Sequence, residues 1–197
     1  MSPSAPSTSV ERSKKFPVTL LGMVLFVSSE VMFFGALFAA YFTLRNQAAA
    51  WPPEGTPEIG LVAPALLTIV LLASSVTQHW AVAALKSGDR GALNRRLGAT
   101  IVLGTVFLAG EGFEWMRLIG EGFTVETNVY GTLFFTMTGF HGLHLLGGLL
   151  ILGVGLRRSS IAPLEHQRLA SMEAATYYWH FVDGVWLLLA TSLYLLA

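Results

Sequence analysis

The sequence predicts an all-α integral membrane protein, a bundle of five transmembrane helices, and three observations carry that prediction. Of 197 residues, 53% are hydrophobic and only 12% charged, with a mean hydropathy of +0.60, far from the balance of a soluble domain. The apolar residues gather in five segments, each longer than the ~20 residues that cross a bilayer as a helix. Lysine and arginine collect almost wholly in alternate connectors, as the positive-inside rule requires of a multi-pass chain.

Residues 1–16 are rich in Ser, Pro and Thr and end in Arg12, Lys14 and Lys15, the composition of a disordered, basic cytoplasmic tail. The apolar run that follows is too long for the core of a signal peptide, and no small-residue cleavage site closes it. Residues 17–197 then form one transmembrane domain. Its first helix, 17–47, exceeds the bilayer's need and is expected to tilt or to emerge beyond the lipid. Trp51-Pro52-Pro53-Glu54-Gly55 breaks the chain before a second helix at 59–85, and Ser87-Gly88-Asp89-Arg90-Gly91 turns it into a third at 93–118. Residues 120–128 lead to the fourth, 130–156, and residues 157–168 to the fifth, 173–197. Glycines crowd the third (Gly104, Gly110, Gly112) and the fourth (Gly139, Gly142, Gly147, Gly148, Gly153, Gly155). Small residues let helix backbones approach closely, so these two helices are expected in the middle of the bundle.

Orientation follows from the charges. Arg12, Lys14, Lys15, Lys86, Arg90, Arg95, Arg96, Arg157, Arg158 and Arg168 fall on one side, and only Arg45 and Arg117 on the other. The N-terminus is therefore expected inside and the C-terminus outside. Net charge is zero, which gives no global basic field for nucleic acid. The absence of cysteine excludes disulfides, thiolate chemistry, cysteine-ligated zinc and iron–sulfur clusters, leaving histidine and carboxylate as metal ligands.

Ionisable groups inside the spans are costly unless they face protein or water, so each has a functional and a structural reading. Glu30 stands near the middle of the first helix, with no basic residue within a helical turn. It reads either as a proton-exchanging carboxyl or as a buried acid hydrogen-bonded to a neighbouring helix. Glu111/Glu114, His141/His144 and His180/Asp183 share an i, i+3 spacing that puts both members on one helical face. Carboxylates and histidines on facing helices can build a di-metal site, but the predicted spans set Glu111 and Asp183 on the order of 10 Å apart in depth at about 1.5 Å per residue. Interhelical hydrogen bonding, such as Glu111 or Glu114 to His141, is the expectation. His79-Trp80 and Tyr177-Tyr178-Trp179 are expected at the lipid boundary. Arg157 and Arg158 could bind anionic lipid headgroups or anchor their helix.

Four strings stand in a telling order: Ser29-Glu30-Val31-Met32-Phe33-Phe34, Trp51-Pro52-Pro53, Gly139-Phe140-His141-Gly142-Leu143-His144 and Tyr178-Trp179-His180-Phe181-Val182-Asp183. Together they resemble subunit III of the cytochrome c oxidases, in its short five-helix form, over nearly all of the chain after Pro17. The resemblance implies a subunit without catalytic residues, metal, haem or copper of its own. Haem and copper would lie in partner subunits of the oxidoreductase, with subunits I and II and membrane lipids as partners and phospholipid bound. A respiratory supercomplex is a further partner that it admits. It implies support of proton uptake and of sustained turnover, with Glu30 as the buried carboxyl. It also implies structural roles for His141, His144, His180 and Asp183, and a lipid-headgroup contact at Arg157 or Arg158. Glu114 matches the family's carboxyl in the third helix here, whereas Glu111 departs from its pattern. The location implied is a bacterial cell membrane or another energy-coupling membrane. Two alternatives stay open: the homologous subunit of a quinol oxidase or of a nitric oxide reductase-associated complex, and a stand-alone proton-coupled transporter.

Overall fold

A computed structural model describes residues 18–161 and 166–196, without the side chains of residues 166–168. The expected basic tail, Pro17, Ala197 and the Arg168 side chain lie outside the described residues. Five α-helices follow one another: α1 Val18–Gln47, α2 Val62–Lys86, α3 Arg90–Gly120, α4 Val129–Ile161 and α5 His166–Ala190, the last running into a π-helical turn, Thr191–Leu195. No strand occurs among the described residues. Each predicted span becomes a helix. The largest boundary differences are at the end of α4 and the start of α5, which continue past the apolar runs. Hydropathy marks where lipid ends, whereas polar helix formers go on satisfying the backbone in water.

Helices α1 to α4 are long and apolar enough to cross a membrane. Helix α5 carries Glu173, His180 and Asp183, and it is the helix that the others cover. It packs against α1, α2 and α4, while α2 pairs closely with α3 and α3 with α4. Helix α1 touches α4 lightly and α2 hardly at all. The outer four thus form an open ring around α5, parted between α1 and α2.

This corrects the expectation that the third and fourth helices hold the middle. Their glycines do serve close packing, but as seats for aromatic rings of α5. A Cβ at Gly104 would stand 2.7 Å from Cη2 of Trp179, and one at Gly148 would stand 3.0 Å from the same ring. Trp179 is fully buried, and its Nε1 donates to Ser74 Oγ of α2 at 3.0 Å. Two turns further on, Trp186 Nε1 donates to Thr68 Oγ1, also on α2, at 2.9 Å. Of the cluster expected at the lipid boundary, only Tyr177 is exposed, whereas Tyr178 and Trp179 are buried. Neighbouring residues on a helix point about 100° apart, so one aromatic triplet cannot share one environment.

Short caps set the turns. Gly88, at φ 76°, ends α2 in the left-handed conformation that glycine adopts without penalty. Asp89 Oδ1 then accepts the Ala92 N–H at 2.8 Å to start α3. Asn128 Oδ1 accepts the Gly131 N–H at 2.8 Å to start α4. At the end bearing Lys86 and Arg90, Lys86 Nζ meets Glu173 Oε1 at 2.9 Å, and Ser159 Oγ donates to Asn94 Oδ1 at 2.5 Å. At the other end the loop with the cis Trp51–Pro52 peptide folds over the helix ends. Trp51 Nε1 donates to Tyr41 Oη at 3.2 Å, and the Tyr41 hydroxyl donates to the Ser192 carbonyl at 2.5 Å. The Tyr130 hydroxyl donates to the Leu193 carbonyl. Carbonyls at a helix end lack partners within the helix, and here two tyrosines supply them.

Candidate functional site: a carboxyl–histidine pair between two helices

The ionisable residues singled out in the sequence do not form one network. They lie in separate places, of which one brings two of them into a direct hydrogen bond. Glu30 of α1 and His144 of α4 meet with Oε2 and Nε2 2.8 Å apart. Their side chains are 18% and 16% exposed respectively, so the pair sits on the flank of the bundle, shielded but not sealed.

The surroundings fix the imidazole. His144 Nδ1 lies 2.7 Å from the Phe140 carbonyl oxygen, one turn earlier in α4. A carbonyl can only accept, so Nδ1 carries a hydrogen and donates it. Phe33 stacks on the ring with centroids 6.2 Å apart, and Phe34 meets it edge-on at 5.0 Å. The Tyr178 hydroxyl donates to the His144 backbone carbonyl at 2.9 Å, tying α5 to the same turn. With Nδ1 committed, Nε2 has two choices: as a neutral ring it accepts a proton from a carboxylic acid, or as an imidazolium it donates to a carboxylate. In both states the contact holds a single proton and the pair is neutral overall, the arrangement in which burying two ionisable groups costs least.

His141, one turn earlier on α4, has no hydrogen-bond partner for either nitrogen among the described residues. It is fully buried between the rings of Phe107, at 5.8 Å, and Trp186, at 5.3 Å. Both oxygens of Glu111 are likewise buried and without partners among the described residues. Glu111 lies on the wall of an apolar groove of about 650 Å³ between α3 and α4, shared with Leu108, Trp115 and Leu143. The expected hydrogen bond from Glu111 or Glu114 to His141 is therefore absent. A common helical face fixes direction only to within a quadrant, and His141 points at aromatic rings instead.

Glu114 turns to Arg117, with Nη2 2.6 Å from Oε1, and Arg117 also holds Glu121 at 3.2 Å. His180 and Asp183 do stand together, Nδ1 to Oδ2 at 3.5 Å, but the hydrogen bond of His180 Nδ1 is with Ser75 Oγ of α2 at 2.6 Å. Arg157 and Arg158 are exposed near the end of α4. Among the described residues, no three His, Cys, Asp or Glu side chains come close enough to hold a metal ion. Three partners were not legible in the sequence: His144 for Glu30, Ser75 for His180, and the tyrosines that cap α5. Glu30 and His144 lie 114 positions apart, and no local pattern encodes such a pairing.

Comparison with known proteins adds the family. A sequence profile described as cytochrome c oxidase subunit III matches residues 13–197. The chain is 42% identical to the cytochrome c oxidase subunit 3 of Thermostichus vulcanus, over 90% of this chain and 87% of that protein. Against the probable cytochrome c oxidase subunit 3 of Nocardia farcinica it is 41% identical, over 88% and 86%. Against the cytochrome c oxidase subunit 3 of Synechocystis sp. it is 42% identical, over 90% and 75%. The motif order, the all-helical membrane bundle and this similarity across nearly the full length agree: the chain belongs to the cytochrome c oxidase subunit III family.

Proposed function

We propose that this non-catalytic subunit of a haem-copper oxidase packs on subunit I, beside subunit II, and that its Glu30–His144 pair supports proton uptake during sustained oxygen reduction, with cytochrome c as electron donor. The observation that carries the proposal is the 2.8 Å contact itself. Because Nδ1 is held by Phe140, the pair stores one proton between two ionisable side chains, and that proton moves from one to the other without a change of net charge. Such a pair, only partly exposed, can take up or release a proton at the edge of the bundle. Electron transfer and oxygen chemistry belong to the haem- and copper-bearing subunits.

Replacing Glu30 by Ala in the purified oxidase tests this. The initial rate of oxygen consumption should stay within about twofold of wild type while the number of turnovers before inactivation falls, since a supporting proton donor shortens waiting times rather than performing chemistry. An immediate and complete loss of activity would overturn the supporting role and place Glu30 on an obligatory proton route.

Finer features belong to the same proposal. Arg157 and Arg158, exposed where α4 ends, fit phospholipid headgroups. The charge asymmetry supports an N-terminus on the inside of a bacterial or other energy-coupling membrane, and membership of a respiratory supercomplex is compatible with the wide apolar flank of α1. The second reading is a quinol oxidase. A copper-binding, cytochrome-docking domain on the copurifying subunit II supports the cytochrome c form, and its absence would favour quinol.

A further inference from the structure

Between α1 and α2, where the ring of outer helices is open, α5 presents one uncovered face. Tyr177, His180, Gly184, Leu188 and Thr191 follow each other along it, all exposed, at the three- and four-residue steps that keep side chains on one side of a helix. Ser75 of α2 borders this face, its Oγ 2.6 Å from His180 Nδ1. Ser75 lies halfway along α2, Val62–Lys86, so the His180 imidazole, 41% exposed, faces outward at hydrocarbon depth. Behind it Asp183 is only 4% exposed, and neither carboxyl oxygen has a hydrogen-bond partner among the described residues. Its Oδ2 lies 3.5 Å from the same His180 Nδ1. At Gly184 an added Cβ would meet nothing within 4 Å, which leaves the α5 backbone open to close approach.

The opposite side of the molecule is different. Phe113, Met116, Leu143 and Leu150 stand exposed there, and the polar atoms of Glu111 and His141 are sealed inside. Acyl chains suit that side. They do not suit the α5 face, because lipid tails offer no hydrogen bond to a histidine at mid-membrane. A second helix supplies both things the face asks for, a backbone that nestles against a glycine and a polar side chain at matching depth.

We propose that the opening between α1 and α2 is the seat of a transmembrane helix from another oxidase subunit, one that carries at mid-membrane depth a side chain hydrogen-bonding to the Ser75–His180–Asp183 group. The proposal rests on the chain's membership of an oxidase complex and adds which face makes the contact.

Two experiments on the assembled oxidase test it. The chain has no cysteine, so Gly184→Cys and Leu143→Cys each place one benzophenone-maleimide label on this subunit in native membranes. The Gly184 label should crosslink to another oxidase subunit and the Leu143 label to lipid. A Gly184 label that captures only lipid, or only a second copy of this chain, overturns the proposal. In parallel, His180→Leu should lower retention of the subunit through detergent washing about tenfold, as the loss of an interhelical hydrogen bond of that strength would. His180→Gln, which keeps a donor and an acceptor, should retain it. Full retention of both variants overturns the proposal. Copurification of the wild-type chain with haem separates the two claims: its failure would remove the complex itself, whereas a copurifying chain whose Gly184 label misses every other subunit removes only the face.

Discussion

Two histidines three positions apart show how little residue type and spacing say about role. His144 has both nitrogens engaged, by Phe140 and Glu30, whereas His141 has neither engaged among the described residues and lies among aromatic rings. Opposite mutational outcomes follow. His144→Leu strands the Glu30 carboxyl and should destabilise the protein by about 1–3 kcal/mol, the cost of leaving a partly buried polar group unpaired. A double-mutant cycle with Glu30→Leu should return a coupling energy of about 1 kcal/mol or more, measured by thermal unfolding in detergent. A coupling near zero would mean that the pair contributes nothing to folding. His141→Leu removes no hydrogen bond and keeps a bulky apolar group in place, so it should change stability by no more than about 1 kcal/mol. A large loss in the same assay would reveal a partner for the imidazole.

At the scale of helices, glycine content misled as to position but not as to purpose. Gly104 and Gly112 lie in the same span, yet a Cβ at Gly104 collides with Trp179, and at Gly112 it meets nothing within 4 Å. Gly104→Ala should therefore cost about 1–3 kcal/mol by overpacking a ring held on several sides. Gly112→Ala should be neutral or gain up to about 1 kcal/mol from helix propensity. Melting the two variants side by side tests whether Trp179 is the keystone of the bundle, and equal stabilities would deny it. The turn between α2 and α3 was readable before the fold from the breakers Ser87-Gly88-Asp89-Arg90-Gly91, and the structure places a left-handed glycine and an N-cap carboxylate there. The tyrosine caps on the π-turn were not readable, because their acceptors lie 151 and 63 positions away.

For the whole molecule, the distribution of charge and the arrangement of helices give independent information. The ends of α2 and α4 and the start of α3 lie together, which gathers Lys86, Arg90, Arg95, Arg96, Arg157 and Arg158 at one end of the bundle, with Arg45 and Arg117 at the other. If the basic end faces inside, as proposed from the charge asymmetry, a cysteine introduced at Glu54 should react with an impermeant maleimide added outside intact cells. One at Gly88 should react only after the membrane is opened. The reverse pattern would invert the orientation. The polar cargo of α5 also makes sense only at this scale. Glu173, His180 and Asp183 interrupt the apolar run of α5, whereas the other four helices each keep one long enough to cross a membrane, and α5 tolerates them because those helices, with the proposed partner, stand between it and lipid.

The sequence alone determined the class, the number of helices, their approximate limits and the family, because each is written in local runs of apolar residues, in breakers, and in short motifs. It also named the residues that lipid could not accept. Only the tertiary structure decided which of those residues meet, which helix is enclosed and which face is left uncovered. Those outcomes depend on the rotation of one helix against another, and along a span that is apolar nearly all round, no periodicity records that rotation.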